Sequence, residues 1–140
     1  MTSPDHILLS RFYQIARLTS IELEFFIPRI SNSKLQTIIS NQASNYELLA
    51  NECFALAKTH SVNLPDNLFF KRCSEIISKN FANLKHIDLS AIIACISNFN
   101  IHLMIEMYNV EMADSETINI GRHLKMLQED NLNILCQIQL

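Results

Sequence analysis

The chain has 140 residues, 49% of them hydrophobic and only 18% charged, with a formal net charge of −3. That length fits one domain, residues 1–140, with a core large enough to need neither disulfide nor metal. No Lys/Arg cluster exceeds Lys71-Arg72, which argues against a nucleic-acid partner, since such binders need a basic face to displace counterions.

One Gly and three Pro are too few for the many turns of a β-rich protein. The opening MTSPDHILLSRF has neither a basic region nor a cleavage signal, so no secretory leader is expected. Cys53, Cys73, Cys95 and Cys136 stand alone on apolar stripes, without a C-x-x-C pair. They read as buried reduced thiols in a cytoplasmic protein.

The first helix is expected to start at Ser3-Pro4-Asp5, where Ser can cap, Pro tolerates the first turn and Asp complements the dipole. Leu8, Phe12, Ile15, Leu23, Phe26 and Ile30 follow at close to helical period. Pro28 should end or kink that helix. The second begins at a capping-box pattern, Ser33 to Gln36. Its buried stripe is Leu35, Ile38, Ile39, Tyr46, Leu49, Cys53, Leu56 and Ala57, with Gln42 lying on it too. A third is expected from Pro65 to about Leu84, through Leu68, Phe69, Cys73, Ile76, Ile77 and Phe81.

Leu89 to Val110, LSAIIACISNFNIHLMIEMYNV, reads as the central helix of the fold. Its only formal charge is Glu106 and it holds no Gly or Pro. A helix apolar on nearly every side is usually a buried one, so Ala91, Cys95, Phe99 and Leu103 are expected in the core. Length alone would let it cross a membrane. Ser90, Ser97, Asn98, Asn100, His102, Glu106 and Asn109 are expensive in lipid, and no membrane span is expected. A single helix from Pro65 to Val110 would be about 68 Å long, far beyond its partners. A break near His86 to Leu89 is the better solution, with Asp88 or Ser90 as the cap. A fifth helix should start at Asp114-Ser115-Glu116 and bury Ile120, Leu124, Leu127, Ile134, Leu135 and Ile138. It contains Gly121, which costs about 1 kcal/mol there relative to Ala. Either a close helix crossing or a neutral substitution accounts for it.

The expectation is therefore an all-α, antiparallel four-helix-type bundle of four to five helices. The turn TSIELEFFIPRISNSKLQ, the run YELLANECFALAKTHSVNLP and the terminal HLKMLQEDNLNIL resemble the ferritin-like superfamily in layout. They are most similar to small uncharacterised four-helix-bundle proteins of spore-forming anaerobic bacteria. The resemblance implies the bundle fold and brings no known activity.

Ferritin-like di-iron sites need a Glu from each of two helices and a Glu-x-x-His from each of the other two. This chain has no Glu-x-x-His, although Glu22 or Glu24 and Glu106 could supply carboxylates. No cofactor is expected. The residual candidates are His102 and Glu106, spaced i and i+4 on one helix face, with His123 completing a set if the fifth helix crosses there. A neutral core His hydrogen-bonded to a carboxylate, or a Glu reaching solvent at the helix end, is the competing reading. No Cys has a neighbouring His or Lys in sequence to activate it, and one Gly excludes a phosphate loop.

Two functional readings follow: a non-catalytic module that hides its apolar excess in a homodimer or a protein partner, and a bundle binding a metal or small apolar ligand near His102 and Glu106. Ile21, Phe25 and Ile27 fall off the first helix's stripe, which places the expected dimer contact on that helix. The competing explanation is that Phe25 and Ile27 pack under the third helix within one chain.

Overall fold

The structure is a computed structural model that describes residues 1–108 and 113–140. The described residues are all-α. Among them five helices run in the order α1 (Ser3–Phe26), α2 (Ser33–Thr59), α3 (Asn67–Asn80), α4 (Leu89–Met107) and α5 (Ser115–Gln137), with a 3-10 turn at Ile27–Arg29 after α1.

Every helix starts on a side-chain cap. Thr2 and Asp5 form a reciprocal box at α1. Asn32, Asp66, Asp88 and Asp114 each accept a backbone N–H three residues on, satisfying amides the helix leaves unpaired. The expected caps at Ser3 and Ser33 are thus each one residue late. Gln36 does not reach back to its own cap but donates to the Ile27 carbonyl at 2.8 Å. Asp88 is the cap where the break was expected, and α3 is shorter than expected at both ends. α2 closes with Ser61 at φ 55. The Val62 N–H donates to the Ala57 carbonyl at 2.8 Å and Ser61 to Lys58 at 3.4 Å, the two bonds of a Schellman ending.

Cross-helix contacts fix the directions. Lys34 reaches the Gln139 carbonyl at one end of α2 and α5, and His60 meets Glu116 at the other, so the pair is antiparallel. Arg11–Glu106 and Glu22–Cys95 set α1 against α4 in the same way. The helices α1, α2, α5 and α4 form a four-membered ring, each adjacent pair in contact. α2 and α4 consequently run the same way, and the connection between them must cross the bundle's length. α3 lies in that crossover. It is held to α1 by Phe70 against Tyr13 and by Phe81 against Phe25 and Phe26.

α1 touches all four other helices, and it, not the apolar stretch, is the centre of the fold. All of Leu8, Phe12, Ile15, Leu23, Phe26 and Ile30 are buried. α4 buries Ile92, Cys95, Ile96 and Leu103 and half-buries Ala91 and Phe99, while Ile101, Met104, Ile105 and Tyr108 face outward. The expectation of burial all round is overturned, because a ring position covers one side of a helix and only α1 has the crossover laid over its back. The expected last residues of that stretch, Asn109 and Val110, lie outside the described residues. Ile21, Phe25 and Ile27 are packed against the core of the same chain, so the second apolar face of α1 is already occupied.

Candidate functional site: a polar layer inside the bundle

Midway along the bundle the core turns polar. α2 supplies Gln42 and Tyr46, spaced i and i+4, and α5 supplies Gln128 and Asn131, spaced i and i+3, so each pair shares one helix face. None of the four is more than 3% exposed. The Tyr46 hydroxyl donates to Gln128 Oε1, and Gln42 Nε2 reaches the Asn131 carbonyl at 3.4 Å. On α1, Thr19 donates to the Ile15 carbonyl at 2.6 Å and Ser20 to the Ala43 carbonyl of α2 at 3.0 Å. Among the described residues Gln42 Oε1, Gln128 Nε2 and Asn131 Nδ2 have no hydrogen-bond partner. Three such atoms in one layer is a concentration that native cores rarely tolerate.

Burial raises the titratable groups around the layer. Burial pushes the Tyr46 phenol well above its ordinary range, against a smaller opposing effect of the Asn131 carboxamide. Burial, and then the charge of Glu22, raises the Cys95 thiol. Glu22 itself is raised by burial, partly offset by its hydrogen bond with Cys95. Of the four thiols expected to be buried only Cys53 and Cys95 are, whereas Cys73 is half-buried and Cys136 exposed. Burial pushes Cys53 up to about 12. Neither buried thiol supplies a thiolate at neutral pH, which removes both from the set of nucleophiles.

The candidates from sequence do not assemble. Glu106 is taken by Arg11, whose Nη1 lies 2.8 and 3.0 Å from its two oxygens. His102 is exposed on the flank of α4. His123, 62% exposed, lies 3.9 Å from Glu52 of α2. Among the described residues no group of three His, Cys, Asp or Glu side chains is placed to hold a metal ion. The polar layer fits one no better, because amides and a protonated phenol bring no charge to offset a divalent cation.

Sequence reading passed over Gln128 and Asn131. The inward line of α5 is Ile120, Leu124, Gln128, Asn131 and Leu135, whereas Leu127 and Ile138 are half-buried and Ile134 is exposed. Amides occupying two positions of a regular apolar line were the available signal. The Glu-x-x-His pattern does not cover amides.

A concavity of about 870 Å³ runs along the outside of α1 and α2. Arg17 stands at its wall, stacked 4.1 Å over Phe70 and bonded to the Tyr13 hydroxyl and Asn67. Glu24 and Glu47 line it as well, and burial followed by the charge of Glu47 raises Glu24.

The chain matches no protein-family model, no curated protein and no solved structure.

Proposed function

We propose that this protein is a non-catalytic helical-bundle module that pairs with a second copy of itself through the outer face of α4. The observation that carries the reading is the composition of that face. Ser90, Ala94, Ser97, Ile101, Met104 and Tyr108 follow one another at alternating spacings of four and three, a continuous stripe on a helix. The stripe is small at its N-terminal half and bulky at its C-terminal half, and it bears no charge. Ile101, Ile105 and Tyr108 are 59%, 58% and 90% exposed, and soluble monomers rarely leave large contiguous apolar patches in water.

An antiparallel two-fold pairing of α4 sets Tyr108 opposite Ser90, Met104 opposite Ala94 and Ile101 opposite Ser97. Bulk then meets shallow surface at every level, as a self-complementary interface requires. A stable interface buries about 800 Å² per partner, more than one helix offers. Ile7, exposed on α1 beside Tyr108, extends the apolar area. A bilayer-spanning role for α4 is disfavoured despite a mean hydropathy of 1.4, since Asn98, Asn100, His102 and the ion-paired Glu106 all lie on it.

The ferritin-like resemblance belongs to the same proposal. It is supported by the long crossover between α2 and α4, the second and third bundle helices in chain order, and by a Gln128-x-x-Asn131 pair with the i, i+3 spacing of Glu-x-x-His. On that reading the bundle has kept its polar layer with neutral groups. Four free thiols favour a reducing, cytoplasmic setting.

Light scattering at micromolar concentration tests the pairing. A mass near twice 16.1 kDa is expected, falling to one chain in Ile101→Lys with helicity unchanged. A wild-type mass of one chain would sink the homodimer. Stoichiometric metal in protein purified without chelator would instead favour the ligand-binding reading.

A further inference from the structure

We infer that the outer face of α3 is a docking surface for an anionic lipid bilayer. α3 is the least embedded helix of the fold: only Phe70 is fully buried. Phe70, Cys73, Ser74 and Ile77 form the strip turned toward the bundle, none of them exposed. Beside that strip, at the helical angles of residues 68, 69, 72, 76 and 79, lie Leu68, Phe69, Arg72, Ile76 and Lys79, all exposed. Apolar and cationic side chains alternate along this one face for about 21 Å, the length of the helix. Leu84 and Lys85, both exposed in the following connection, continue the pattern.

Charge identifies the occupant. Four of the chain's eleven Lys and Arg residues fall between Lys71 and Lys85, with Glu75 the single carboxylate among them, in a protein whose net charge is −3. Among the described residues Lys71, Arg72, Lys79 and Lys85 form no ion pair. Asp66 and Asp88, the nearest acids on either side, are engaged as the caps of α3 and α4. The fold therefore concentrates unpaired cations on the one helix that also leaves Leu68, Phe69 and Ile76 in water. A second copy of this chain would bring like charges together on this face. An anionic interface accepts both components at once, the apolar side chains at the acyl boundary and the cations at the headgroups.

Phe70 explains how the face is presented. Its ring packs edge-on against Tyr13 at 5.5 Å and lies under the Arg17 guanidinium, while Phe81 anchors the far end on Phe25 and Phe26. Held at both ends, α3 offers its outer side without having to unfold from the bundle.

Vesicle flotation of the full chain tests this, using vesicles of phosphatidylcholine alone and of phosphatidylcholine with phosphatidylglycerol in equal parts. The protein should float with the anionic vesicles only and be released at high salt, because headgroup attraction is screened. Each cation brought to an anionic surface strengthens binding about fivefold, so the double variant Arg72→Glu, Lys79→Glu should weaken it by more than about 25-fold. Ile76→Ser should weaken it independently of charge, and circular dichroism should be unchanged in all three proteins. Absence of flotation with anionic vesicles, equal flotation with neutral ones, or undiminished binding of the charge-reversed variant would overturn the proposal. So would loss of binding in Ile101→Lys with binding retained in the α3 variants, which would assign the lipid contact to α4.

Discussion

Gly121 of α5 faces the ring of Phe12 on α1 so closely that a Cβ there would stand 2.8 Å from Cζ and 2.9 Å from Cε2 of that ring, and 3.0 Å from Met107 Sδ. Of the two readings open from sequence, close approach is the one the packing supports. Phe12 is wholly buried, so its ring has little room to yield, whereas the Met107 side chain can turn. Ala at this position would gain about 1 kcal/mol of helix propensity and lose about 1–3 kcal/mol to overpacking. Gly121→Ala is therefore expected to lower stability by about 1 kcal/mol, read as a drop in the thermal midpoint. A midpoint at or above wild type would show that the crossing relaxes freely.

The Tyr46–Gln128 bond gives a second test. Tyr46→Phe removes a donor and leaves Gln128 Oε1 buried without a partner, which costs about 1–3 kcal/mol. Replacing both ends, as Tyr46→Phe with Gln128→Leu, takes away the orphan atoms together and should recover much of that loss. Denaturant unfolding of the two single variants and the double variant yields the coupling directly. Strict additivity would mean the two side chains act separately.

The helix starts were legible because caps are local chemistry. Asp88 and Asp114 could be read from the residues on either side, and the shifts to Thr2 and Asn32 are single-residue errors at termini, where several capping residues stand in a row. Burial around a helix is not local. Ile38 and Ile39 both fall on the apolar stripe of α2, yet only Ile39 is fully buried. The choice depends on where α1 and α5 sit. The same holds for α4, where apolar side chains identified a helix but not how much of it other helices would cover. His102 and Glu106 share a helix in any fold. Whether Glu106 meets a histidine or Arg11 depends on the crossing with α1, and spacing carries no record of that.

The pH dependence of stability should contain two opposed contributions. Asp5 is held below its ordinary value, first by the Thr2 side chain and then by the Thr2 backbone, with the Asp114 N–H adding to them at 3.1 Å. Its stabilisation is full above the unfolded value and fades as pH falls through the lower folded one. Glu22 is raised, so its contribution is full below the unfolded value and is lost as pH rises through the folded one. Glu22→Gln should thus stabilise the protein at neutral pH and have a diminishing effect as the medium is acidified. Asp5→Asn should destabilise at neutral pH and converge on wild type in acid. Denaturant midpoints at neutral and acidic pH check both signs, and a pH-independent difference in either variant would refute its assignment.

Phe25 separates packing within the chain from association between chains. Its position off the main stripe of α1 suggested a dimer contact, and on that view Phe25→Lys would dissociate the protein without unfolding it. The structure places its ring 6.2 Å from Phe26 and 6.1 Å from Phe81, with the Arg29 guanidinium 3.8 Å above it. Lys at this position removes both aromatic contacts and sets a second cation beside Arg29. Aromatic pairs and exposed cation–π contacts are each worth about 0.5–1.5 kcal/mol, so a loss of about 2 kcal/mol is expected. The end of α3 should loosen at the same time, because Phe81 loses one of its two anchors. Phe25→Lys should therefore lower the unfolding midpoint and leave the mass from light scattering unchanged, the reverse of Ile101→Lys. If Phe25→Lys instead changed the mass and kept its midpoint, the interface would lie on α1 and the pairing through α4 would be wrong.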